Sequence, residues 1–505
     1  MLPCGGLRWG HQGQPGRLRM STRTPATGLL ARPVFKELKT PGSRRVGSKF
    51  VGLRVHFVGI GGSGMNGLAR MLLDCGAVVT GSDATPNAQT LALAKEKNIR
   101  ISREQMGELL DAGVNLVVHT AAVKADHPEL LAADRFGIRT IKYAKLLGEV
   151  MAERLGVAIA GTHGKSTTTA MTALALVRCD LDPSFVIGGT VPQLGGTGSR
   201  SGLGSAFVAE ACEYDRSFHN LAPTVAVITN VEEDHLDCYS GIDPIIESFR
   251  HFVGLVPPYG KIIANGSDEN VAKVIENQKA NVETVSLGGD TTWSTRPTGL
   301  VNGCPTGEVT YGGQYVATLQ LSVPGDHNLM NATMALAVAH ACGADVAAAA
   351  AAIGTFRGVD RRMTEMGTVN GATVVDDYAH HPTELRTTLP ALRDKYAPDR
   401  LVCIFQPHQH SRTRHLIEDF AKSFAAADIV VMPNIYFVRD SESEKQAVCT
   451  QDLIEKIVAN GQSAVHIPEF PDIVAHVRSL ARPGDLIVTM GAGNVNEIAR
   501  DLVDA

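Results

Sequence analysis

GVAIAGTHGKSTTTAMTALALV, residues 156–177, passes from an apolar run through a glycine-bearing turn into a Ser/Thr- and Ala-rich segment. Val157 to Ala160 suit a buried parallel strand, and the residues after Lys165 read as a helix. Between them lies Gly161-Thr162-His163-Gly164-Lys165-Ser166. A strand, a tight turn and a helix start together aim several backbone N–H groups and the positive end of the helix dipole at one spot. That spot suits a phosphate. Lys165 adds a cation for the β- and γ-phosphates, and the Ser166 hydroxyl stands where a P-loop ligates Mg²⁺. Ile159 occupies the place of the first glycine in G-x-x-x-x-G-K-[ST], so the match is the shorter G-x-x-G-K-S. The competing reading is a glycine turn carrying a surface lysine.

Upstream, VHFVGIGGSGMNGLAR, residues 55–70, places Gly59, Gly61 and Gly64 in G-x-G-x-x-G between a strand and a helix. Asp83 follows the next strand at about the distance where a dinucleotide fold puts its ribose-binding acid. Alone this spells NAD, but the motif establishes only a backbone able to approach a pyrophosphate, which UDP also carries. Gly59, Gly61, Gly62, Ser63, Gly64, Met65, Ser82 and Asp83 are the candidate contacts.

Downstream, the strand Phe207 to Glu210 delivers Glu210 at its carboxyl end. Val225 to Thr229 delivers Asn230 and the loop VEEDHLD, residues 231–237. Carboxyl ends share one edge of a parallel sheet, so Glu210, Asn230 and His235 converge on the P-loop, and Ser166, Glu210 and His235 compose a hard-metal site. The bland alternative makes Glu233, Asp234 and Asp237 a solvated acidic loop. Asn328 and Asn331 lie one turn apart on a helix opened by Pro324-Gly325-Asp326-His327, where amides either read an adenine edge or merely pack. Residues 307–323 alternate as a hairpin. A third strand-and-helix unit carries polar clusters at its strand ends: Asp376 to Pro382, Gln406 to Arg414, and Gly491 to Asn494. Arg361 and Arg362 precede it. So many His and Arg residues at one edge should bind an anion. A zinc site at His380, His381, His408 and His410 is disfavoured, since no Cys accompanies them.

At 505 residues the chain exceeds one core, and two to four domains are expected. With 44% hydrophobic and 20% charged residues it has globular composition, and no apolar run reaches a membrane span. A net charge of -5 excludes general attraction to nucleic acid. Nine cysteines without a C-x-x-C pair fit reduced thiols in a cytoplasmic protein. Residues 1–49 are basic, Gly/Pro-rich and expected to be a disordered tail, with an upstream start and a true start at Met20 as the bland account.

GIGGSGM, GTHGKS, EACEYDRSF, TNVEEDHLD, GDHNLMNA, DDYAHHPTE and FQPHQHSRTR, in this order, resemble the Mur ligases of peptidoglycan synthesis, and within them the branch that joins L-alanine to UDP-N-acetylmuramate. The resemblance spans Val55 to the C-terminus. It implies an α/β protein of three domains: a Rossmann-like UDP-binding domain (50–154), a central P-loop ATPase domain (155–355) and a Rossmann-like C-terminal domain (356–505) that closes on the nucleotide. ATP and Mg²⁺ are the implied nucleotide and metal, UDP-N-acetylmuramate and L-alanine the implied substrates. A monomer or homodimer is expected, with no nucleic acid and no membrane insertion. The resemblance assigns ATP binding to Gly161, Thr162, His163, Gly164, Lys165, Ser166, Asn230, His327, Asn328, Asn331, Arg361 and Asp377. Mg²⁺ falls to Ser166, Glu210 and His235, and the amino acid to Tyr378, His380 and Arg412. Lys165, His235, His380 and Arg412 are the implied catalytic groups. Gln409, where related sequences often carry arginine, leaves the alanine carboxylate to Arg412 or Arg414. Cys212, Met363 and Ser166 stand for a usual acid, phenylalanine and threonine. A ligase for a whole tripeptide is the nearest alternative. An NAD-dependent dehydrogenase and a non-catalytic nucleotide-binding regulator are the others.

Overall fold

The computed structural model describes residues 48–120, 122–438 and 440–504. The expected tail therefore lies outside the described residues as far as residue 47. Three sheets follow one another along the chain. The first is wholly parallel, with spatial order Arg100–Ser102, Val78–Ser82, Arg54–Val58, Leu116–His119, Arg139–Lys142. Its order reverses at Arg54–Val58, which creates a crevice at the carboxyl ends where the helix Ser63–Asp74 begins.

The second sheet has ten strands. Its centre is Leu155–Ala160, flanked by Ala206–Glu210 and Val225–Ile228, both parallel to it. These strands are continuous apolar runs because helices cover both faces. Val157, Ile159, Val208 and Val227 are fully buried. On one side the sheet turns antiparallel through Trp293–Val301, Cys304–Tyr311 and Gln314–Gln320. The last two form the expected hairpin, and a third strand extends it. The third sheet runs Thr364–Val369, Ala372–Asp377, Asp485–Met490, Arg400–Phe405, Ile429–Met432, Ala464–His466, with only its first pair antiparallel. Apolar clusters fill both faces, one around Phe405, Phe420 and Phe424 and the other around Val402, Ile404 and Ile487.

Strands begin or end a residue or two from the sequence reading, as frayed ends do. No disulfide joins the described cysteines. Among the described residues no helix is long and apolar enough to cross a membrane.

Candidate active site

The P-loop turn depends on two glycines. Gly161 has φ +140°, and a Cβ there would run into Thr229 Oγ1; Gly164 has φ +81°, and its Cβ would sit 2.6 Å from Asn331 Oδ1. Side chains rarely adopt such backbone angles, so glycine is needed on both counts. Gly164 then starts the helix Lys165–Arg178. Asn230 braces the turn from the neighbouring strand: its Oδ1 accepts from the His163 N–H at 2.7 Å and its Nδ2 donates to the His163 carbonyl at 3.1 Å. Asn230 thus holds the loop's shape.

Lys165 Nζ donates to the Gly161 and Thr162 carbonyls at 2.5 and 3.0 Å and to Glu213 Oε1 at 2.9 Å. Burial works to lower its pKa, but the Glu213 carboxylate overcomes this and keeps the ammonium charged. Ser166 Oγ donates to Glu210 Oε2 at 3.0 Å. Burial raises the Glu210 pKa against the pull of the Gly188 N–H and Ser166. His235 Nε2 lies 3.7 Å from Glu213 Oε1. Glu213 Oε2 and His235 Nδ1 are buried without a hydrogen-bond partner. Two orphaned polar atoms, a desolvated carboxylate and a hydroxyl oxygen form a donor set that fits a hard divalent cation.

The turn from Thr162 to Ser166, with Glu210, Asn230 and His235, lines one cavity of about 620 Å³, together with His327, Asn328, Asn331, Arg361, Asp377, Tyr378, His380 and Arg412. Every sequence-assigned nucleotide, metal and amino-acid residue except Gly161 therefore meets in one space. Gly59, Gly61, Gly62, Gly64, Met65, Ser82 and Asp83 do not line it. Burial, helped by nearby Arg362, lowers the His327 pKa to about 4, so its ring is neutral. Asn328 Nδ2 donates to the Pro324 carbonyl and Asn331 Nδ2 to Asn328 Oδ1. Asp377 is raised to about 6 by burial, against Arg362 and the N–H groups of Ala379 and Met363.

The expected free cluster of cations is instead a set of partnered ones. Arg361 is fully engaged by Asp376 and the Gly491 and Gly493 carbonyls. Arg362 pairs with Glu384, and Arg414 with Glu444. Arg412 lies against Asp234, with side-chain exposures of 6% and 8%. Burial lowers the His380 pKa to about 3, opposed by Glu384 and helped by Arg412, which leaves a neutral imidazole. Its Nδ1 faces the Tyr378 carbonyl at 3.0 Å, so that nitrogen carries the proton and Nε2 keeps a lone pair.

The acidic loop is not a solvated face. Glu232 accepts from Thr383 Oγ1 at 2.6 Å, the Glu233 carbonyl meets His381 Nε2 at 3.3 Å, and Asp234 binds Arg412. Three consecutive residues of the central domain each hold a partner from beyond residue 356. His163 sits between Glu232 and Glu384, 3.7 and 3.6 Å away. Burial would lower its pKa, but the two carboxylates push it up to about 9. His163, Glu232 and His381 also have the spacing of metal ligands. A protonated His163 already supplies the positive charge there, so the ion-pair reading takes precedence.

In the first domain two of the assigned residues have inward-facing side chains. Met65 is packed in the core, and Ser82 is fully buried with its hydroxyl donating to Glu129 Oε2 at 2.5 Å. The glycine motif fixes backbone shape, not which side chains face outward, so these two offer a ligand only their main chain. Asp83 Oδ2 accepts from the Gly61 N–H at 2.8 Å and Oδ1 from Thr85, so Asp83 shapes the loop. Sequence reasoning missed Glu213, Asp234 and Glu384. The two acids of EACE were a visible signal for Glu213; Asp234 and Glu384 gave none.

Three family models match in succession: "Mur ligase family, catalytic domain" over residues 54–155, "Mur ligase middle domain" over 159–339, and "Mur ligase, glutamate ligase domain" over 361–493. The chain is 40% identical to a UDP-N-acetylmuramate–L-alanine ligase of Caldanaerobacter subterraneus subsp. tengcongensis, covering 89% of this chain and 97% of that one. It is 39% identical to the ligase of the same name from Geobacter sulfurreducens, over 88% and 95%. Its fold is similar to the crystal structure of UDP-N-acetylmuramate-alanine ligase from Thermotoga maritima, with TM-score 0.74, 26% identity, and 90% and 98% of the two chains covered. A murein peptide ligase from Psychrobacter arcticus is similar at TM-score 0.66 and 28% identity, covering 89% and 98%.

Proposed function

The chain belongs to the Mur ligase family, and from that premise we propose that it joins L-alanine to the lactyl carboxylate of UDP-N-acetylmuramate as ATP is cleaved to ADP and phosphate. The observation that carries this is the 40% identity, over nearly the whole chain, to enzymes named for that reaction. The single cavity in which a P-loop meets the third domain's His and Arg residues agrees with it. We place the domain boundaries near residues 154 and 355 and the enzyme in the cytoplasm, where ATP and the UDP-sugar are available.

A carboxylate is a poor electrophile. In the first step its oxygen attacks the γ-phosphorus of ATP, the bond to the β-phosphate oxygen breaks, and ADP leaves behind an acyl phosphate. Lys165 stabilises the charge on the transferring group. Ser166, Glu210 and His235 would hold Mg²⁺, which neutralises phosphate charge. In the second step the alanine nitrogen attacks the acyl carbon, a C–N bond forms, and the C–O bond to phosphate breaks. The ammonium must first shed a proton to solvent, and the lone pair of His380 Nε2, too weak a base to take that proton, accepts a hydrogen bond from the amine so formed. Asn230 keeps the P-loop in shape, while His327, Asn328 and Asn331 hold the adenine. Arg361 and Asp377 form the third-domain wall. Because these groups come from two domains, closure assembles the site and keeps water from the acyl phosphate.

The test is ADP release with UDP-N-acetylmuramate and ATP in the presence of L-alanine, glycine, L-serine or the tripeptide. The expected result is release that depends on L-alanine. Release that needs no amine, or that only the tripeptide supports, refutes the assignment.

A further inference from the structure

Asp234 is buried among residues that line the cavity, and its two oxygens are used unequally. Oδ1 accepts from the His235 N–H at 2.6 Å and from Arg412 Nε and Nη2 at 3.1 and 2.6 Å. Oδ2 accepts a hydrogen bond from no described residue; His235 Nε2 lies 3.9 Å from it. The side chain is only 8% exposed, and it lines the cavity beside His380, His408 and Arg412. A carboxylate oxygen that accepts no hydrogen bond within the protein, on a residue lining the cavity, is open to a ligand bearing N–H groups and positive charge. Arg412 is the reverse case. Asp234 takes Nε and one proton of Nη2, and Nη1 makes only long contacts to His408, at 3.3 and 3.4 Å, so the outer edge of the guanidinium can still donate.

A free amino acid is a zwitterion whose charges sit a few ångströms apart, and a paired Asp and Arg sharing one edge offer it both complements. We propose that Asp234 Oδ2 receives the ammonium group of the incoming amino acid while Arg412 Nη1 takes its carboxylate. The inference rests on the ligase reading above and adds a specificity-determining residue to it. The pair favours a free α-amino acid over an uncharged amine, because a neutral nucleophile brings N–H donors to Oδ2 but no charge for the pair to complement. It also sets the amine beside His380.

The test is Asp234→Asn, which keeps shape and removes charge. Two constants are read: KM for L-alanine, and the inhibition constant of L-lactate, which carries the carboxylate without the ammonium. KM for alanine is expected to rise at least about tenfold, a charge-assisted bond's share, with no matching loss of lactate binding. An unchanged KM overturns the proposal. Equal weakening of alanine and lactate also overturns it, since Asp234 would then act only by positioning Arg412. A raised Mg²⁺ requirement with an unchanged KM for L-alanine overturns it by placing Oδ2 at the metal. Acyl-phosphate formation, trapped with hydroxylamine as the hydroxamate, checks that the variant is folded; if it is not, the same constants are read in Asp234→Glu. Wild-type protein that yields no hydroxamate refutes the ligase reading itself, an outcome distinct from those above.

Discussion

His163→Gln should remove a pH-dependent share of stability that the wild-type protein loses as the solution becomes basic. The ring lies between Glu232 and Glu384, with a side-chain exposure of 13%, so solvent screening is slight. Its pKa is pushed from 6.5 to about 9. A group whose folded pKa exceeds its unfolded value stabilises fully below the unfolded pKa and ceases to do so as pH passes the folded one. A rise of this size corresponds to about 3 kcal/mol at saturation, of which about 2.5 kcal/mol remains at pH 7 and almost none at pH 10. Trp293 is buried in the central sheet. In a Trp9→Phe background it is the single tryptophan of the chain, so its fluorescence follows unfolding of the domain that carries His163. Urea titrations in that background, with and without His163→Gln and at both pH values, give the difference directly. Comparing the two proteins cancels lysines and tyrosines that titrate in the same range. The gap should be about 2 kcal/mol at neutral pH and close at pH 10. A gap of equal size at both would mean that His163 is held by shape rather than charge, and the ion-pair account would be wrong.

Lys165→Ala should lower kcat about a hundredfold, since roughly 3 kcal/mol of charge stabilisation in the transition state is removed; ADP release at the wild-type rate would contradict the P-loop role. Glu210→Gln should raise the Mg²⁺ concentration needed for half-maximal activity by about tenfold or more, because a buried acceptor loses its charge; a titration of rate against Mg²⁺ decides it. UDP-N-acetylmuramate at about a hundred times its Kd should stabilise the protein by about 2.7 kcal/mol, and NAD should not. Thermal unfolding with each ligand distinguishes the two readings of the glycine motif.

What was legible in the sequence is what neighbouring residues determine. Buried parallel strands are unbroken apolar runs, so Val225 to Thr229 stood out, and the P-loop was visible because strand, turn and helix start lie within a dozen residues. Placing Glu210 and His235 at the same edge needed only the rule that parallel strands share their carboxyl ends. Side-chain direction was not legible. Ser82 ends its strand as a ligand-facing residue should, yet its partner is Glu129, 47 residues away. The acidic loop was harder still, since Asp234 meets Arg412 across 178 residues of chain and Glu232 meets Thr383 across 151. Local spacing carries no information about such pairs, and without them an EED run reads as a solvated surface.

Those distant pairs also bear on how closure and chemistry are joined. Residues 232–235 are too short a segment for its members to act independently. Glu232 and Asp234 are held by the third domain, and His235, the next residue, faces Glu213 and through it Lys165. His235 has φ +53°, a backbone angle that non-glycine residues adopt only when their surroundings impose it. Asp234 Oδ1 accepts from the His235 N–H as well as from Arg412, so the oxygen that fastens the domains together also fixes that backbone. Withdrawing the third domain would remove Arg412 and leave a buried carboxylate with only one of its three donors, a state disfavoured by several kcal/mol unless water enters. Relaxation of the loop would then turn His235 away from Glu213 and from the Mg²⁺ site proposed above. On the proposed Mg²⁺ site, metal occupancy and domain closure would be linked through one peptide unit, and each should strengthen the other by the same factor.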